Sequence, residues 1–139
     1  MSITFGKRLL LGLAAPLLAG CISDAASYII TPPDHALTLI REQRWFWNDS
    51  VELEIVAARM PDCQRRHKLD PAPAAEATVE VYQTGSTTFV LKQGARFYLA
   101  ETRSCVGFEK LDTPPPGGIG QPIGIFREEG GKLRFAKAV

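Results

Sequence analysis

The chain has 139 residues, with 16 Lys and Arg against 15 Asp and Glu and a formal net charge of +1. That is enough for one domain and a short leading segment, and too little for two domains of ordinary size. The near-neutral balance excludes a general nucleic-acid binder, which needs a marked basic excess to hold phosphates.

Residues 1–8 carry Lys7 and Arg8. Residues 9–18 (LLLGLAAPLL) form an apolar run of about ten, the size of an export-signal core and too short to span a bilayer as a helix. Pro16 would also disturb a permanent membrane helix. The run closes on Leu17, Leu18, Ala19, Gly20 and Cys21, where the small Ala19 and Gly20 let a peptidase reach the bond before the cysteine. Leu18-Ala19-Gly20-Cys21 resembles the lipobox of bacterial lipoproteins. That resemblance implies that residues 1–20 are a signal helix that is removed, that the Cys21 thiol takes a diacylglyceryl group, and that the freed amine is acylated. Two or three acyl chains anchor a protein stably where one does not. An ordinary secretory signal cut ahead of a cysteine is the alternative. In the Gram-negative sorting rule, Asp after the lipidated cysteine retains a lipoprotein in the inner membrane. Ile22 at that position implies the outer membrane, facing the periplasm; a Gram-positive cell surface is the other setting.

With Cys21 assigned to lipid, Cys63 and Cys105 remain as an even pair, which in an oxidising compartment points to a disulfide. Closing a loop of that length stabilises a domain by roughly 4 kcal/mol on the chain-entropy argument. A metal site built from Cys63, His67 and Cys105 has too few ligands at recognisable spacing.

Residues 21–35 (CISDAASYIITPPDH) read as the lipidated N-terminus and a tether, with Tyr28, Ile29 and Ile30 apolar enough to dock as a first edge strand. Residues 36–47 are rich in branched and aromatic side chains and read as a strand, turned by Asn48-Asp49-Ser50. Val51, Leu53, Ile55 and Ala57 alternate with Glu52 and Glu54, the period of a strand buried on one face, and the two segments form a hairpin. Residues 60–75, with Pro61, Pro71 and Pro73, read as a long loop pinned at Cys63. Residues 78–84, 87–92 and 96–101 form a three-stranded meander turned at Gly85-Ser86 and Gln93-Gly94, and residues 106–111 add a short strand. A second long loop, residues 112–122, leads to a closing hairpin of residues 123–127 and 132–136. The expected fold is all-β: a small antiparallel β-sandwich or partly open barrel of about seven to eight short strands over residues 36–139.

No catalytic set emerges. His35 and His67 lie in loop-like contexts without a partner nucleophile, and strand alternation puts Glu52 and Glu54 on a solvated face. Gly117, Gly118, Gly120 and Gly124 lack the spacing of a phosphate loop, and Pro122 removes a backbone N–H. No cofactor or metal is implied, and the expectation is a protein that is not an enzyme.

Two stretches are candidate partner-binding surfaces. Arg65, Arg66, His67 and Lys68 make a local positive run suited to lipid phosphates, anionic glycan or an acidic protein face, or simply a solvated charge run. Trp45, Phe46 and Trp47 sit at the expected hairpin tip, where alternation puts Trp45 and Trp47 on one face and Phe46 on the other. They form either an exposed edge for a protein, glycan or lipid interface, or core packing under a covering loop. The function that follows is a membrane-anchored accessory or binding module of the cell envelope, with an envelope protein or glycan as partner and no nucleic acid. In its anchor, size and β-rich disulfide domain the chain also resembles the small lysozyme-inhibitor lipoproteins, which implies as an alternative the inhibition of an incoming hydrolase.

Overall fold

The computed structural model describes residues 21–139. The signal segment, with lipobox positions 17–20, lies outside the described residues. Eleven strands follow in chain order: β1 (Ser23–Thr31), β2 (His35–Glu42), β3 (Ser50–Arg59), β4 (Cys63–Lys68), β5 (Ala72–Pro73), β6 (Val79–Gln83), β7 (Thr88–Gln93), β8 (Arg96–Glu101), β9 (Phe108–Leu111), β10 (Gln121–Glu129) and β11 (Lys132–Lys137). They build two antiparallel sheets. One runs β1-β2-β3-β4 with β5 paired to β3, and the other runs β11-β10-β6-β7-β8-β9. The sheets stack as a β-sandwich, not a closed barrel.

The period-two pattern decides which residues fill the space between the sheets. Leu37 and Leu39 of β2 and Val51, Leu53, Ile55 and Ala57 of β3 face Val79, Val81, Phe89, Leu91, Tyr98, Ala100 and Phe126, all buried. At one margin β1 lies over β11: Tyr28 packs against Phe135 with ring centroids 5.0 Å apart, and the Leu133 N–H donates to Asp24 at 2.9 Å. At the other, Cys63 at the head of β4 is bonded to Cys105 in the β8–β9 loop, with Cα atoms 5.8 Å apart. The sandwich is thus closed by packing on one side and by a covalent bond on the other.

The structure corrects five expectations. Residues 23–31 are not a tether but the nine-residue strand β1, paired with β2 from Ser23↔Glu42 to Thr31↔His35. Its inward residues are Asp24, Ala26, Tyr28 and Ile30, and two of them are too small or too polar to announce a buried face. The loop expected over residues 60–75 contains β4, paired with β3 from Arg59↔Cys63 to Glu54↔Lys68. As a sheet edge, β4 has polar groups on both faces, so no alternation marks it, and Pro61 and Pro71 flank it rather than interrupt it. The strand expected to reach residue 47 stops at Glu42, leaving residues 43–49 as a loop. His35 and His67 accordingly stand within β2 and β4, not in loops. The count rises from the expected seven or eight strands to eleven through β1, β4 and the short β5.

Candidate functional site

The strands run between two poles. At one pole lie Cys21, the β2–β3 loop and the β10–β11 turn; at the other lie the β1–β2 and β3–β4 turns, the β6–β7 turn and the loop carrying Cys105. Nine residues of β1 at about 3.4 Å each separate the poles by roughly 30 Å.

Cys21 is exposed, and only Ile22 stands between it and β1. The Gln43 N–H donates to the Ile22 carbonyl at 2.7 Å, and the Ile22 N–H donates to Gln43 Oε1 at 3.3 Å. The β1–β2 contact therefore extends one step past Ser23↔Glu42, to Ile22 and Gln43, and places Cys21 at the same pole as the loop that carries Trp45. Trp45, Phe46 and Trp47 are 51%, 64% and 67% exposed. They are neither split between two strand faces nor packed in the core. Trp45 and Trp47 stack with centroids 5.0 Å apart, and Phe46 meets Trp47 edge-on at 4.8 Å. The loop is held by one backbone and two side-chain hydrogen bonds: Asn48 N–H to the Trp45 carbonyl at 3.1 Å, Gln43 Nε2 to the Asn48 carbonyl at 2.6 Å, and Ser50 N–H to Asn48 Oδ1 at 3.0 Å. Arg44 pairs with Glu52 at 3.2 Å at its base.

Directly behind this loop sits a charged group that sequence reasoning missed. Arg41 is 0% exposed and faces inward like Leu37 and Leu39. Its Nε and Nη2 donate to Asp24 at 2.9 and 2.7 Å, and its Nη1 donates to Glu128. Burial alone would raise the Asp24 pKa, but the hydrogen bond from Arg41, the Leu133 N–H and the Arg41 charge outweigh it, leaving the carboxyl below its ordinary value. The Asp24 hydrogen bonds likewise hold Arg41 in its charged form. This clamp joins β1, β2 and β10 across the two sheets. Asp24, Arg41 and Glu128 are individually unremarkable in the sequence, and only the register brings them together.

The basic run does not form one patch. Arg66 and Lys68 point to the outer face of the first sheet, while Arg65 and His67 fall on the other phase of β4. Arg65, Arg66 and Lys68 are exposed, and Arg66 Nε lies 3.0 Å from Glu54 Oε2, a Coulombic contact without hydrogen-bond alignment. Glu54 is accordingly half-buried rather than fully solvated. His67 stacks on Phe108 with centroids 4.5 Å apart, and its Nε2 donates to the Cys105 carbonyl at 2.8 Å, so that nitrogen carries the proton. These cations line the open edge of a sheet, where charge discourages pairing with another chain. Cys105 itself has φ 62° and is supported by Glu101, whose carboxylate accepts from Arg103 N–H, Ser104 N–H, Ser104 Oγ and Gly107 N–H. Burial works against ionisation there, but the Ser104 hydroxyl and the backbone N–H groups prevail and lower the Glu101 pKa to about 2.

The pole far from Cys21 carries a cleft of about 590 Å³ lined by Asp34, His35, Arg59, Met60, Ser86 and Thr87. His35 Nε2 lies 2.6 Å from Thr102 Oγ1. Burial, and then the Arg59 charge, depress the His35 pKa and favour its neutral form. Arg59 is 3.8 Å from Asp62, loosely paired and partly exposed, so the cleft offers a cation and several hydroxyl groups. A second cleft of about 530 Å³ lies where the Pro-Gly loop folds over Val90 and Leu99 on the outer face of the second sheet. Gly120 is obligatory in that loop: its φ is +90°, and a Cβ there would sit 2.3 Å from the Gln83 carbonyl oxygen.

No family model, curated protein or solved structure matches the chain. Fold and surface chemistry are therefore the basis for assigning a role.

Proposed function

We propose that the protein is a lipid-anchored, non-catalytic binding module of the bacterial cell envelope, held at the membrane through Cys21. It presents the opposite pole to an envelope protein or glycan. What carries this reading is position. Cys21, the free cysteine among the described residues, is exposed at the head of β1, while the His35–Arg59 cleft opens at the far end. The sequence pattern ahead of Cys21 is the one that lipidation requires, and Ile22 favours the outer membrane, facing the periplasm. The Cys63–Cys105 bond is compatible with an oxidising compartment.

The test has two parts. Mass analysis of the mature N-terminus should find acylated Cys21, and Cys21→Ser should leave the protein in the soluble fraction. Unchanged membrane attachment of Cys21→Ser would overturn the anchor. A photo-reactive side chain placed at Ser86 in intact cells should then capture a defined envelope protein or glycan, whereas one at Lys92, midway along the second sheet, should not. Equal capture at both positions would overturn the assignment of the far pole. Slowing of a muramidase by the soluble protein would make an incoming hydrolase the partner instead.

A further inference from the structure

Three large aromatic side chains in a row, each more than half exposed, are an unusual surface for a small domain. They are not a loose tip, because three hydrogen bonds fix the loop that presents them. Stacking and edge-on contact among the rings hold them as one apolar knob about two ring-widths across, already ordered before anything binds. The knob lies next to the start of β1. Adjacent strands are roughly 5 Å apart and Ile22 is bonded to Gln43, so Cys21 lies within roughly 16 Å of Trp45. Around its base the polar groups are of both signs, with Arg44 and Glu52 paired and Asp49 beside them.

We propose that the Trp45-Phe46-Trp47 loop inserts into the headgroup region of the membrane beside the acylated Cys21, so that the domain stands on the bilayer on two contacts and cannot swing. This rests on the lipid-anchor reading of Cys21. The occupant is a lipid surface and not a protein because of where the knob is. With only Ile22 between the acylated residue and β1, there is no slack to lift this pole away from the membrane. Trp and Phe are the side chains that gain most at the boundary between headgroups and acyl chains, with an apolar ring body inward and, for Trp, an N–H left in contact with water and headgroups. Insertion of one loop would be weak for a free protein. Next to an acyl anchor it becomes an intramolecular step at high effective concentration, so modest intrinsic affinity suffices. Mixed charge at the base makes the contact depend on aromatic area rather than on anionic lipid, and little affected by salt.

The molecule carries its own probe, because Trp45 and Trp47 are its 2 tryptophans. The purified lipidated protein is reconstituted into phosphatidylethanolamine–phosphatidylglycerol vesicles, and tryptophan emission is recorded with brominated acyl chains in the bilayer and with acrylamide outside. Insertion predicts a blue shift, strong quenching by lipid brominated near the headgroup, several-fold protection from acrylamide, and no change between low and high salt. Phe46→Ser keeps both reporters and should reduce the bromolipid quenching while leaving the protein anchored. Water-like emission, open to acrylamide and untouched by bromolipid on vesicle-bound protein, would overturn the proposal. So would a blue shift without bromolipid quenching, which places the rings against protein. If mass analysis shows Cys21 to be unacylated, the anchor reading fails by itself. The exposed thiol, with the other cysteines bridged, is then coupled to a maleimide phospholipid and the same fluorescence decides the loop.

Discussion

Arg41→Met removes the guanidinium of the buried clamp while keeping an apolar stem of similar length, so its effect isolates the charge. Three hydrogen bonds to two carboxylates are lost. Breaking a fully buried ion pair by deleting one partner costs about 3–5 kcal/mol, because the other partner is left charged in a poor solvent. Here the Asp24 and Glu128 side chains remain 25% and 39% exposed, so water can reach both when Arg41 is gone. That access lowers the expected loss to about 2–3 kcal/mol. For a domain of this size it corresponds to a fall in Tm of about 8–12 °C. The assay is urea and thermal unfolding beside Arg44→Met, whose pair with Glu52 is solvent-exposed and should be worth less than about 0.5 kcal/mol. The pH dependence gives a second check. The Asp24 pKa is depressed in the folded state, so its contribution is present above the unfolded value of 3.8 and is lost as pH falls through the lower folded value. Arg41→Met should flatten that part of the acid limb, because the hydrogen bond from Arg41 is the largest stabiliser of the Asp24 charge. If Arg41→Met costs no more than Arg44→Met, the clamp is energetically idle and apolar packing alone joins the sheets.

Replacing Cys63 and Cys105 together by Ala opens a loop with a sequence separation of 42. The expected loss is about 4 kcal/mol, read by urea unfolding, with β4 the first strand to lose amide protection in hydrogen exchange. Glu101→Gln removes the charged acceptor beneath Cys105. The parent protein should lose stability as pH falls from 4.5 toward about 2 and the variant should lack that component, seen as a shallower acid-unfolding curve. Equal curves would show that the Glu101 hydrogen bonds do not differ between folded and unfolded chains. Arg66→Val with Lys68→Val removes charge from the open edge β4 while raising its β propensity; sedimentation should show new oligomers without loss of folded secondary structure. A variant that stays monomeric would mean the run is not edge protection.

The core was legible in the sequence wherever one sheet face alternates cleanly. Val51, Leu53, Ile55 and Ala57 on β3, and Val79 and Val81 on β6, lie where periodicity puts them. Cys63 and Cys105 also pair as their count implied. The margins were not legible, for two physical reasons. β1 turns Asp24 and Ala26, both half-buried, to its inner side, and a carboxylate is accommodated there because Arg41 stands opposite, a fact set by register. β4 buries little on either side, so its sequence carries no period to read. The aromatic triplet was found as a candidate surface, but strand alternation gave it the wrong geometry because the strand ends three residues earlier. Nothing local could reveal that Cys21 and the Trp45 loop share one pole; that follows from β1 pairing with β2.

The same pairing decides how an anchor at Cys21 would load the fold. A force on Cys21 along the membrane normal enters β1 along its own axis, because only Ile22 intervenes. Antiparallel strands pulled along their axis resist in shear, with the whole ladder from Ser23↔Glu42 to Thr31↔His35 strained at once, whereas a perpendicular pull would open the ladder one pair at a time. Past Ile22, which packs against the margin of the core, the first inward side chain of β1 that the load meets is Asp24, whose bonds to Arg41 and to the Leu133 N–H pass it to β2 and to β11 of the second sheet. Placing a buried ion pair there contributes less to stability than apolar packing of the same volume would. It does give directional bonds that fix the register of an edge strand, which small residues such as Ala25, Ala26 and Ser27 cannot do by shape alone. On the proposed anchoring at Cys21, the clamp, β1 and the exposed aromatic loop would share the membrane-facing pole, and the cleft at the other pole is where a partner would be met.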